Sequence, residues 1–205
     1  MELTAHDIIT WMKKTNDKIQ SKKEYLTSLD QAIGDGDHGI NMARGFNEVV
    51  VKLDDSSYES VSDALKDTAM TLMSKVGGAA GPLYGTAFLK LSTSLKGKSA
   101  DYTHFLNGLE ESLAGLKQRG KSQEGEKTLI DVWAPVIEKM KESDDFDASL
   151  LKHTAEDSME KTKDIKATKG RASYLGDRSI GHLDPGSVSS FYVFEALAET
   201  IEGGR

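Results

Sequence analysis

The sequence contains no cysteine, which excludes a disulfide framework, zinc–thiolate sites, iron–sulfur clusters and thiol catalysis. It holds only 3 prolines, so little interrupts helical segments. No stretch reaches the roughly 18 uninterrupted apolar residues of a membrane span. Met1 to Lys14 alternates polar and apolar residues and has no apolar core of a signal peptide. Positive charge is not in excess either: 26 Lys and Arg stand against 33 Asp and Glu, a formal charge of −7. That balance argues against nucleic acid or an anionic membrane surface as the main partner. The expectation is a soluble, cytoplasmic protein. At about 150 residues per domain, 205 residues read as a single domain over 1–205.

Glycine, by contrast, is abundant, with 19 residues in a chain whose patterning is otherwise helical. Thr4-x-x-Asp7 has the form of a capping box ahead of Ile8, Ile9, Met12 and Ile19. Ile40, Ala43, Phe46, Val50 and Leu53 line one helical face, as do Val61, Leu65, Thr68, Leu72 and Val76. Phe105, Leu109, Leu113 and Leu116 form a further stripe, and Phe191, Phe194, Ala198 and Ile201 the last. Alternating strand-like runs are missing. These patterns predict an all-α fold of about eight helices without a sheet. Trp11 and Trp133 read as core residues.

Twelve of the 19 glycines fall in three breaks between helices: Gly34, Gly36, Gly39 and Gly45; Gly77, Gly78, Gly81 and Gly85; Gly170, Gly176, Gly181 and Gly186. The first break, Leu29 to Gly39, matches G-x-G-x-x-G at Gly34, Gly36 and Gly39. A dinucleotide loop follows a buried strand and holds pyrophosphate on bare amides. Here a helical pattern precedes it, and Asp35 and Asp37 would repel a phosphate unless cations lay between. Asp30, Asp35 and Asp37 form an all-oxygen set suited to a hard cation such as Mg²⁺. No glutamate closes an EF-hand, because Asn41 and Phe46 stand where it would fall. Three carboxylates plus a nucleoside diphosphate of roughly −3 total about −6, which two divalent ions balance better than one. If a helix starts at His38, the Gly39 and Ile40 amides are open to an anion, with His38 and Asn41 beside them.

In the second break, Pro82 is placed as an early helical residue. The small residues before it suit either close approach of a phosphate or close helix–helix packing. The third break, Lys169 to Ser179, gathers cations in an acidic chain. Arg171 and Arg178 are candidates for a phosphate clamp; solvation or an ion pair with Asp177 is the other reading for Arg178. Gly120 to Thr128 misses a Walker A loop because Glu126 separates Gly125 from Lys127, and no strand precedes it, so a P-loop is excluded. It is expected instead to be a mobile connection over a ligand.

Taken together, the segments LDQAIGDGDHGIN (29–41), Met42-x-Arg44-Gly45-Phe46, VGGAAGPLYG (76–85), Asp131-x-Trp133-x-Pro135 and KGRASYLGDRSIGHLDPG (169–186) resemble the ADP-binding subunits of phosphotransferase-dependent bacterial dihydroxyacetone kinases. The match runs in order along nearly the whole chain. The resemblance implies an eight-helix antiparallel barrel with ADP and two Mg²⁺ at one end. It further implies that a phosphohistidine protein of a phosphoenolpyruvate-dependent relay rephosphorylates the bound ADP. The ATP formed then phosphorylates dihydroxyacetone, held on a histidine of a separate substrate-binding kinase subunit.

By position, the resemblance places the metal ions on Asp30, Asp35 and Asp37, and the phosphates on His38, Gly39, Ile40, Asn41, Ala79, Ala80 and Arg171. Gly120, Leu129, Asp184, Pro185 and Gly186 would frame the nucleotide. Ala80 replaces a hydroxyl residue of many relatives, and Leu129 a methionine of some. No residue is assigned as a covalent nucleophile, since phosphoryl transfer needs positioning and charge neutralisation. Two other readings are a nucleotide-loaded partner of a transcription regulator, and the ATP-exchanging domain of a related triose or fatty-acid kinase.

Overall fold

Where the sequence supplies a short polar side chain ahead of an apolar stripe, a helix starts on it. In the computed structural model, which describes residues 1–204, Thr4 and Asp7 form the expected capping box of α1 (Ala5–Ser21). Ser60 caps α4 (Val61–Lys75), Asp101 caps α6 (Tyr102–Gly120), Asp147 caps α8 (Ala148–Lys161) and Asp184 caps α9 (Pro185–Gly203). Four helices lack a side-chain cap: α2 (Lys23–Ile33), α3 (His38–Asp54), α5 (Ala80–Leu95) and α7 (Ile130–Lys141). Three of these, α3, α5 and α7, begin at the same cleft, described below.

The described residues thus hold nine α-helices rather than eight. The extra one arises at Lys22, where a single non-helical residue divides α1 from α2. Contacts run from α1 to α3, then through α4, α5, α6, α7 and α8 to α9, and back to α1. This closes a ring of eight helices with α2 outside it, packed on α3 and α9. A two-residue antiparallel pair, β1 (Glu2–Leu3) with β2 (Ala100–Asp101), is the one departure from all-α. No helix among the described residues is long and apolar enough to cross a membrane.

The core lies inside the ring, and α9 is buried through Val188–Phe194. Trp11 packs edge-on against Phe88 and Phe105 at 5.5 and 6.2 Å, and its Nε1 donates to the Val193 carbonyl at 2.8 Å. Trp133 packs on Phe194 at 4.9 Å. Both tryptophans are core residues, as expected. The buried face of α3 is Met42, Ala43, Phe46, Val49 and Leu53. Ile40 and Val50 are off that face, against the expected stripe: Ile40 is 47% exposed, and Val49 takes the buried place beside a half-buried Val50. Helix α5 starts at Ala80, so Pro82 sits in the first turn rather than opening it.

Candidate functional site

Asp30 is the anchor of the acidic loop. It lies on the last turn of α2, and its Oδ2 accepts the Asp37 amide at 2.8 Å and the His38 amide at 3.1 Å. Those two bonds fold residues 34–37 back over the helix end and deliver the other two carboxylates. One carboxylate oxygen from each of Asp30, Asp35 and Asp37 lies within 4.8 Å of the others. Asp30 is buried and Asp35 exposed. Three like charges at that spacing repel, and an oxygen-only donor set of this kind fits a hard divalent cation.

Gly39 explains how close α3 can come to α2. A Cβ there would overlap the Lys23 carbonyl and the Thr27 hydroxyl, so only glycine permits the approach. Gly45, Gly81 and Gly85 likewise sit at tight helix contacts. Gly34, Gly77, Gly78, Gly170 and Gly186 instead line a cleft of about 330 Å³. Gly78 has φ +66° and open space where a side chain would be. The glycines of the three breaks therefore divide between tight helix contacts and the cleft wall.

The cleft brings together Asp30, Asp35, Asp37, His38, Asn41, Ala79, Ala80, Leu129, Arg171, Asp184, Pro185 and Gly186. Three expected residues do not line it. Ile40 is exposed, Gly39 is buried against α2, and Gly120 ends α6 behind Leu83, which itself lines the wall. Arg178 is not part of the wall, and the carboxylate of Asp177 pairs with Lys166 at 2.8 Å. Arg171 reaches Asp35 at 2.8 Å. Its segment packs on the end of α2 through Ala167, Ala172 and Leu175 around Ile33, which keeps the guanidinium beside the carboxylates.

His38 Nε2 lies 2.9 Å from Ser189 Oγ. Burial lowers its pKa, against the opposing pull of Asp30, Asp37 and the Pro185 carbonyl, so the neutral imidazole is favoured. At the far end, Asp184 accepts the Ser187 amide at 2.6 Å, and Ser187 Oγ donates to the Thr128 carbonyl at 2.8 Å. Burial pushes Asp184 up to about 7 despite the Ser187 bonds.

Lys127, Thr128, Leu83 and Tyr84 also line the cleft and were not expected there. Lys127 is 1% exposed, and its Nζ donates to the Thr162 and Ile165 carbonyls at 2.7 and 3.0 Å. Burial lowers its pKa. Asp131 accepts the Gly125 and Thr128 amides at 2.5 and 2.7 Å. The 121–129 connection is thus tied down through Gly125, Lys127 and Thr128. Nothing in the spacing marks Lys127 as buried. Tyr84 was legible, since it shares a helical stripe with Ala87, Phe88, Leu91 and Leu95.

The arrangement can hold a metal-bound polyanion: carboxylates at one end with an arginine paired to one of them, and uncapped starts of α3 and α5 beside them. The DAK2 domain profile matches residues 32–199. Over 192 residues the chain is 48% identical to the Listeria innocua PEP-dependent dihydroxyacetone kinase 1, ADP-binding subunit DhaL, covering 94% of both chains. Over 202 residues it is 48% identical to the Lactococcus lactis PTS-dependent dihydroxyacetone kinase, ADP-binding subunit DhaL, covering 97% of this chain and 99% of the other. The fold superposes on the dihydroxyacetone kinase from C. freundii in complex with AMP-PNP and Mg²⁺ with a TM-score of 0.72. That match covers 96% of this chain and 33% of the larger one at 23% identity, and speaks for the fold alone. The chain belongs to the DAK2 domain family.

Proposed function

We propose that this chain is the ADP-binding, phosphoryl-transferring subunit of a phosphoenolpyruvate-dependent dihydroxyacetone kinase, acting in the cytoplasm. It holds ADP in place while a phosphohistidine donor subunit (DhaM) rephosphorylates it. A separate subunit (DhaK) presents dihydroxyacetone to the ATP formed, giving dihydroxyacetone phosphate. The observation that carries this reading is the convergence of Asp30, Asp35 and Asp37 within 4.8 Å at the cleft, in a chain 48% identical to named ADP-binding subunits.

In this reading Asp30, Asp35 and Asp37 hold two Mg²⁺ ions, which neutralise the phosphate charge when bound. The Gly39 and Ile40 amides, with Asn41, His38, Ala79 and Ala80, orient the phosphates at the two uncapped helix starts. Ala80 offers only its amide, so the chain relies there on backbone donation. Arg171 leaves Asp35 for a phosphate oxygen, where a charge-assisted bond is stronger than the exposed pair it replaces. Leu129 and the Asp184-Pro185-Gly186 turn pack the base, with Gly120 backing the wall through Leu83. None of these groups needs to form a covalent bond, because positioning and charge compensation supply the catalysis.

The test loads the purified chain with radiolabelled ADP and Mg²⁺ and adds the phosphorylated donor subunit. Label converted to ATP while still protein-bound, and passed on only when dihydroxyacetone and its binding subunit are present, is the expected result. Rapid exchange of the label with free ATP, with no need for the donor, would instead identify an ATP-dependent kinase domain.

A further inference from the structure

A buried chain of hydrogen bonds runs from the core to the cleft through Tyr84. Trp133 Nε1 donates to Ser190 Oγ at 3.0 Å, and Ser190 Oγ lies 2.7 Å from the Tyr84 hydroxyl. That hydroxyl lies 2.8 Å from Ser189 Oγ, which lies 2.9 Å from His38 Nε2. Trp133 and Tyr84 are 1% exposed and both serines 0%, so water does not compete for the bonds among these four, while His38 at the cleft end is half-buried. An indole N–H can only donate, and this fixes the direction at the core end of the chain. Ser190 accepts from Trp133 and has the Tyr84 oxygen as partner for its own proton. Tyr84 then donates to Ser189, and Ser189 to His38 Nε2. The Gly186 carbonyl is a longer alternative acceptor, 3.1 Å from Tyr84 and 3.0 Å from Ser189. The Pro185 carbonyl also lies beside the imidazole.

We propose that Tyr84 is a positioning residue for phosphoryl transfer, which through Ser189 holds the His38 imidazole in one orientation and one tautomer. Nε2 accepts from the protein, and the proton stays on Nδ1, the ring nitrogen that the chain does not engage. The inference deepens the proposed function and rests on the reading of this cleft as the nucleotide site. Tyr84→Phe removes one hydroxyl and keeps the ring, which packs edge-on against Phe46 at 6.5 Å.

The full chain, labelled with ¹⁵N-histidine and carrying ADP and Mg²⁺, is examined at pH 8 by long-range ¹H–¹⁵N spectra, beside transfer rates with the two partner subunits. Wild-type protein that neither retains ADP nor gains thermal stability from ADP and Mg²⁺ overturns the nucleotide reading itself, whatever Tyr84 does. With nucleotide held, wild type shows the Nδ1–H tautomer of His38. Tyr84→Phe shows mixed tautomers and transfer slowed about tenfold, with ADP affinity changed less than about threefold. Ser189→Ala, which keeps the phenol, behaves alike and decides the matter if Tyr84→Phe does not fold. The double variant is no slower than either single one. An Nε2–H tautomer in wild type, or variants with unaltered tautomer and rate, overturns the inference.

Discussion

Arg171 and Asp35 form an ion pair across the mouth of the cleft, with Nη2 2.8 Å from Oδ2. The side chains are 67% and 37% exposed, so the pair adds little to the fold. Its significance lies in what it joins: the one arginine of the cleft wall and one carboxylate of the three-aspartate cluster. In the proposed function a metal-bound diphosphate takes both partners, and binding replaces this contact.

Arg171→Ala should therefore change unfolding free energy by less than about 0.5 kcal/mol in urea titrations. The same variant should weaken ADP binding by about tenfold or more in calorimetry, because a charge-assisted phosphate contact is lost. A stability loss with unchanged affinity would reverse the roles assigned here.

Two of the three aspartates should separate by function. Asp35→Asn keeps the fold and loses ADP retention in the presence of Mg²⁺. Asp30→Ala also removes the acceptor of the Asp37 and His38 amides, costing about 1–3 kcal/mol of stability even without nucleotide. Thermal melts with and without ADP and Mg²⁺ distinguish the two. Wild type at a hundredfold excess over Kd should gain roughly 5–10 °C.

Much of this arrangement was legible in the sequence, for definite reasons. The first helix start follows from the capping box at Thr4 and Asp7, and the core faces from periodicity, because both signals are local. The acidic loop was legible because three carboxylates so close together have no simple role without a cation. The count of helices was off by one, since the break at Lys22 carries no proline or glycine. Burial of Lys127 was not legible either: its partners are the carbonyls of Thr162 and Ile165, which only the closed ring brings near. The exposed Ile40 shows the converse, an apolar residue in register with a stripe but placed at a helix start that opens on the cleft.

Gly39→Ala should destabilise the protein by about 1–3 kcal/mol, because the added methyl overlaps the Lys23 carbonyl where α3 meets α2. Since that contact positions the acidic loop, ADP affinity should fall with it. Chemical denaturation alongside calorimetry reads both. An unchanged midpoint would mean that the two helices separate at no cost.

Asp184 gives the protein a pH dependence with a definite sign. Its folded value of about 7 lies above the unfolded value near 4, so the folded state holds the proton more tightly. The stabilisation is full below about pH 4 and is lost as pH rises toward 7. Between pH 5 and pH 8, nucleotide-free wild type should lose about 1–2 kcal/mol more than Asp184→Asn, which retains a capping oxygen for Ser187. Parallel pH profiles of the two proteins would contradict this.

The central claim is that the cleft holds ADP through metal-bridged carboxylates. Its most direct test is mass spectrometry of the small molecules released when the protein, purified in Mg²⁺-containing buffer, is denatured. The account predicts ADP in near-stoichiometric amount from wild type and none from Asp35→Asn. Wild-type protein that releases no nucleotide, and whose melting temperature does not move when ADP and Mg²⁺ are added, would contradict it.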